Sequence, residues 1–136
     1  MLLDNITCKQ DLLYMHTRDF ENVIAQMFRR HGNKVMFSDK FGDGDMGIIL
    51  DDIKYVQVKK YPFHHLMEVE HAKKITKCMQ TDDIYKGMII SLGDFKQNTR
   101  KFCHTHVIEC IDGNKLLAMC KQVQVTDFSL ARLIQH

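Results

Sequence analysis

Asp45, Gln57 and Lys59 put a carboxylate, a carboxamide and an ammonium within one short stretch of chain, residues 41–60. The stretch patterns as a β-hairpin. Ile48, Ile49 and Leu50 form one apolar run. Tyr55, Val56 and Val58 form a second, interleaved with Gln57 and Lys59, and Asp51-Asp52 between the runs is a turn signal. A loop over residues 51–53 pairs Leu50 with Lys54, and that register sets Gly47 opposite Gln57 and Asp45 opposite Lys59. Directly opposed residues of an antiparallel pair have Cβ atoms only about 4.5–5.5 Å apart. The three polar groups would then converge at one place on a sheet edge.

The chemistry such a group can do is specific. Mg²⁺ takes oxygen ligands, keeps several waters, and is usually held by one or two carboxylates together with substrate phosphate oxygens. Asp45 offers the carboxylate, with Asp43 as second candidate, and Gln57 offers a neutral oxygen or a hold on a water. Lys59 is a compact charge that can stabilise developing negative charge or orient the attacking hydroxide. Gly42, Gly44 and Gly47 let backbone approach a ligand without a Cβ in the way. This is equipment for metal-dependent phosphodiester cleavage. The same residues also describe an ordinary exposed hairpin with an Asp/Gly-rich loop and a solvated lysine, and the hairpin alone does not choose.

The elements that must position these residues follow from periodicity. Residues 18–31 form a helix, with Phe20, Val23, Ile24, Met27 and Phe28 on one face and Gly32 closing it. A strand at 34–37 precedes hairpin strands at about 46–51 and 54–60, and Pro62 stops the last of these after Tyr61. A helix over 66–80 buries Val69, Ala72, Ile75 and Met79; a strand at 88–91, a helix at 96–104, a strand at 107–111 and a helix at 113–121 follow. The order αβββαβαβα combines a hairpin with crossovers and predicts an α/β domain with a central mixed β-sheet flanked by helices. Residues 1–17 are an N-terminal arm, helical or irregular over 5–14. Residues 122–136 are a C-terminal extension whose expected helix at 127–135, carrying Leu130, Leu133 and Ile134, covers the core or forms part of a dimer interface.

At 136 residues the chain fits one domain, and 45% hydrophobic with 26% charged residues is an ordinary globular composition. No apolar run approaches the roughly 18–20 residues needed to span a bilayer. No basic-then-apolar leader is visible, so a cytoplasmic location is expected. Five cysteines without CxxC spacing indicate reduced thiols, and Cys103 and Cys110 read more economically as buried apolar side chains than as zinc ligands with His104 and His106. The nine methionines read as core filler. A net charge of +2 is too small to imply nucleic acid by itself, so distribution matters more. Lys60 flanks the candidate site, Lys73, Lys74 and Lys77 cluster on one helix, and Lys96, Arg100 and Lys101 on the next. Each group could grip phosphates, or simply be a solvated helix face diluted by Glu68 and Glu70. His64 and His65 follow the hairpin, where a histidine can shuttle a proton, touch a phosphate or merely fill the loop.

Several motifs occur in a recognisable order. Phe20-Glu21 lies in the first helix, then come Gly42-Asp43-Gly44-Asp45, Val56-Gln57-Val58-Lys59, and Lys86-Gly87 opening a strand. Phe95 precedes a helix, and Ile111-Asp112-Gly113 with Leu116 closes the series. Over residues 19–119 this resembles the Mrr-type restriction endonucleases of the PD-(D/E)xK nuclease superfamily. The resemblance implies a single restriction-endonuclease-like domain acting as a Mg²⁺-dependent (or Mn²⁺-dependent) endodeoxyribonuclease on double-stranded DNA. Asp45, Gln57 and Lys59 would be its catalytic residues, with Asp45, Gln57 and Asp43 toward the metal. Glu21 would be a further carboxylate, although an acidic first turn also suits the helix dipole. One departure stands out: counted without gaps, the family's metal-binding aspartate falls on Gly47, and a shift of two residues gives the role to Asp45. Target choice would come from a homodimer, a separate recognition subunit, or DNA structure itself, which keeps a junction-resolving nuclease in view. The rival is a catalytically inactive nuclease-like fold serving as a DNA-binding or protein-interaction module.

Overall fold

A computed structural model describes residues 2–38 and 46–125. In chain order, a 3-10 turn at Leu2–Asn5 leads to helices α1 (Lys9–Tyr14) and α2 (Thr17–Arg30) and strands β1 (Val35–Ser38), β2 (Met46–Leu50) and β3 (Lys54–Lys59). Then come β4 (Leu66–Met67), α3 (Val69–Thr81), β5 (Lys86–Ser91), β6 (Asp94–Phe95), α4 (Gln97–Thr105), β7 (Ile108–Ile111) and α5 (Gly113–Gln122). Asp43, Asp45 and the helix expected at 127–135 lie outside the described residues.

The sheet is five-stranded and mixed, in the order β1-β2-β3-β5-β7. β1, β2 and β3 are an antiparallel meander, while β3, β5 and β7 are parallel and joined by α3 and α4. The hairpin has the expected register, Leu50 opposite Lys54 and Gly47 opposite Gln57. Its turn is held by Asp51 and Asp52 in the left-handed region, φ 53° and 61°, with the Ile53 N–H donating to the Leu50 carbonyl at 3.0 Å. Aspartate tolerates that conformation better than most side chains. The Asp51 carboxylate also accepts from the Lys34 N–H and the Asn33 side chain, both at 2.7 Å, tying the turn to the end of α2.

Two apolar layers enclose the sheet. On one face Phe20, Ile24 and Met27 of α2 and Leu116 of α5 pack on Ile48, Val56, Val58 and Ile90, joined by Leu3, Ile6 and Leu12 from residues 2–14. On the other, Ala72, Ile75 and Met79 of α3 and Cys103 of α4 pack on Tyr55, Ile89 and Ile108. The five cysteines are free thiols, Cys103 and Cys120 buried and Cys110 half-buried. Among the described residues no helix is long and apolar enough to cross a membrane.

Two details depart from the sequence expectation. The helix expected from residue 66 begins at Val69, because Leu66–Met67 pair with Asp94–Phe95 in a small parallel sheet. There the buried Met67 carbonyl accepts from the Lys96 N–H at 3.2 Å and the Thr99 hydroxyl at 2.8 Å. The third strand ends at Lys59 rather than Tyr61, because its parallel partner β5 ends opposite it at Ser91.

Candidate active site

β3 positions the site. Its side chains alternate across the sheet. Val56 and Val58 enter the core under α2, so Tyr55, Gln57 and Lys59 project from the opposite face, the one covered by α3 and α4. Gln57 lies between Gly47 on β2 and Ile89 on β5, and Lys59 lies beside Ser91. The structure thus brings Gln57 and Lys59 to one face at the mouth of the parallel strands. Gly47, opposite Gln57 on β2, contributes no side chain there.

Gln57 is fully buried, yet neither its amide oxygen nor its amide nitrogen has a hydrogen-bond partner among the described residues. Leaving a buried polar group unsatisfied costs roughly 1–3 kcal/mol, so a native fold that carries one points to a ligand, an ordered water or a functional strain. Neighbouring Ser91 is equally buried but accepts from the Gly93 N–H at 3.1 Å. A carboxamide oxygen is a hard neutral donor of the kind Mg²⁺ accepts, so the side chain fits a cation site. Among the described residues no group of three or more His, Cys, Asp or Glu side chains converges.

The remaining candidates are placed unequally. Glu21 sits in the opening turns of α2, on the other side of the sheet from Gln57 and Lys59, and partial burial raises its pKa above the ordinary carboxylate range. Lys60 turns away from Lys59: its ammonium donates to the Met15 carbonyl and lies 6.0 Å from the Phe20 ring centroid. On α3, Lys73 and Lys77 are exposed one turn apart and Lys74 is half-buried. Arg100 on α4 is bonded to Asp94, lies 4.0 Å from Asp112 and stacks over Phe95 at 5.3 Å. That pairing holds the Asp94 carboxyl below its ordinary range and leaves Arg100 with less charge to offer a phosphate.

Beyond the strand, Tyr61 faces Lys59, whose ammonium is 5.9 Å from the ring centroid. His65 packs on the same ring at 4.1 Å, and its buried Nε2 has no partner among the described residues; His64 is exposed. Sequence reasoning treated Tyr61 only as the end of a strand. The signal that could have found it is its spacing, two residues past Lys59 and so on the same parity as Gln57 and Lys59.

The Mrr catalytic-domain family model, described as restriction endonuclease, matches residues 12–120. No curated protein matches the sequence. Among solved structures, the DNA modification-dependent restriction endonuclease AspBHI is similar with a TM-score of 0.65 at 11% identity, over 93% of this chain and 38% of that one. The MspJI restriction endonuclease, solved in complex with a 27-mer oligonucleotide, is similar with a TM-score of 0.60 at 16% identity, over 89% of this chain and 32% of that one. The present chain therefore spans only about a third of the length of each.

Proposed function

The chain belongs to the restriction endonuclease family whose catalytic-domain model covers most of it, and on that premise we propose that it is a Mg²⁺-dependent endodeoxyribonuclease of the restriction or defence type. The observation that carries the proposal is the buried Gln57 amide, without a hydrogen-bond partner among the described residues, on the same sheet face as Lys59. In this reading Gln57 and Asp45 hold the cation and Asp43 is the reserve carboxylate, while Glu21, on the other side of the sheet, is not among the ligands. Asp45 immediately precedes Met46, which pairs with Val58. Mg²⁺, or Mn²⁺ in its place, would supply Lewis acidity and charge at the scissile phosphate when bound. Lys59 stabilises the negative charge that grows on the phosphate oxygens as the P–O bond to the leaving group breaks.

Double-stranded DNA is the proposed partner, and the oligonucleotide bound to MspJI supports it by analogy. Lys73, Lys74 and Lys77 line the helix on the site's face and would contact phosphates, with Lys60 and Arg100 contributing less because of the partners described above. Target choice would come from a second copy or a separate recognition subunit. The free thiols suit a reducing cytoplasmic setting.

The test is cleavage of supercoiled, linear and branched DNA with Mg²⁺ or Mn²⁺, by wild type and by Asp45→Ala, Asp43→Ala and Lys59→Ala. Metal-dependent cutting lost in Asp45→Ala and Lys59→Ala is the expected result. Loss in Asp43→Ala instead of Asp45→Ala would move the carboxylate but keep the function. Unchanged DNA binding with no cutting of any substrate would favour an inactive binding module, the reading that the displaced aspartate keeps in view.

A further inference from the structure

We propose that Tyr61 is a positioning residue for Lys59, the face of its ring fixing where the ammonium sits at the mouth of the site. The inference rests on the role given to Lys59 above. Tyr61 lies past the end of the β-ladder, where backbone pairing no longer dictates its place. Its ring is nonetheless held on several sides. His65 packs against it at 4.1 Å with the planes tilted 37°. His71, in the first turn of α3, meets it edge-on at 5.7 Å, and the Tyr61 hydroxyl lies 3.4 Å from His71 Nε2.

The turn that carries His65 back onto the ring is itself pinned. The His65 N–H donates to the Pro62 carbonyl at 3.0 Å, and the Asp94 N–H donates to the His65 carbonyl at 3.2 Å. Gly93 is pressed so closely on this turn that a Cβ there would lie 2.3 Å from the His65 oxygen and 2.6 Å from the Pro62 oxygen. The turn that carries His65 onto the ring is thus packed tightly against the corner between β5 and β6.

Against this fixed ring stands a flexible side chain. A lysine carries its charge on a four-carbon stem with several rotatable bonds, so its location must be imposed from outside. The face of an aromatic ring attracts an ammonium within about 6 Å of its centroid, and Lys59 Nζ lies at 5.9 Å. A charge already in place before the reaction contributes more to transition-state stabilisation than one that must be recruited. Tyr61 supplies that placement.

Two measurements test it. The first is the ring-current shift of the Lys59 ε-methylene protons, which needs no DNA cleavage. An upfield displacement is expected in wild type and Tyr61→Phe and its loss in Tyr61→Leu. The second is cleavage of supercoiled DNA with Mg²⁺. In Tyr61→Leu, kcat should fall roughly threefold to thirtyfold, the range of one cation–π contact, while KM stays unchanged and Tyr61→Phe recovers most of the rate. Unshifted Lys59 methylenes in wild type overturn the proposal, and that spectrum decides even where the Leu variant does not fold. A Leu variant that cuts like wild type, or one whose loss lies in KM, also overturns it. Shifted methylenes in a protein that cuts no DNA would uphold the placement and overturn the nuclease reading instead.

Discussion

Replacing Gln57 with methionine should make the metal-free protein more stable while removing its capacity to hold a cation. Gln57 is fully buried on the face shared with Tyr55 and Ile89, and its amide oxygen and nitrogen have no partners among the described residues. Folding therefore strips the amide of water with no hydrogen bond returned by the described residues, a loss of roughly 1–3 kcal/mol by protein mutational measures. Methionine keeps the unbranched shape and carries no group that needs a hydrogen bond. Gln57→Met should gain about 1–3 kcal/mol in urea unfolding with EDTA present, equivalent to roughly 3–12 °C in Tm for a chain of this size. With Mg²⁺ the comparison should narrow or reverse. Wild type gains stability in proportion to RT ln(1 + [L]/Kd), whereas the variant has lost a ligand. Cleavage should fall at the same time. A variant destabilised by more than about 1 kcal/mol in EDTA would refute the reasoning, because the amide would then be satisfied in the folded state and need no ligand.

Other expectations follow from the same geometry. Asp4 is held to a pKa of about 2, chiefly by its hydrogen bonds from Arg30. Its stabilisation is present in full above the ordinary value of 3.8 and is lost as the pH falls through about 2. Asp4→Asn should cost about 1 kcal/mol at pH 7 and nothing at the acid end, read from urea midpoints across pH. Gly93→Ala would set a Cβ 2.3 Å from the His65 carbonyl, so a loss of about 2–3 kcal/mol is expected, with a lower Tm by calorimetry and weaker cleavage as the Tyr61 turn shifts. Lys73→Ala with Lys77→Ala removes two exposed charges on one face of α3. It should reduce the slope of log Kd against log salt for duplex DNA by roughly 1–2, and an unchanged slope would remove α3 from the interface.

What the sequence made legible was whatever local pattern controls. The Asp51-Asp52 signal fixed a hairpin register that the structure reproduces, because a one-residue slip would have turned Tyr55 out of the core. α2 was legible from five apolar residues at helical spacing, all buried in the structure. The pairing of Leu66–Met67 with Asp94–Phe95 was not. Two-residue strands leave no periodicity, and their partners are far apart in the chain. Gln57 was legible as a polar group opposite Gly47, but its complete burial was not, since that depends on α3 and α4 closing over the face. Tyr61 was missed for a related reason: its partners His65, His71 and Lys59 come together only through the turn at Pro62 and the packing of α3.

The pairing also explains which aspartate positions deserve consideration. Gly47 faces Gln57 directly, and it is where the family pattern would place the carboxylate. Moving a residue by two along a strand preserves its face, and moving it by one inverts it. By count alone, positions 45 and 43 lie an even number of residues before Gly47, and aspartate occupies both. A carboxylate at 47 would stand beside a fully buried amide, deep against the sheet. In the proposed site the carboxylate comes from a position two or four residues before Gly47 in the sequence, and Gln57 serves as the neutral ligand.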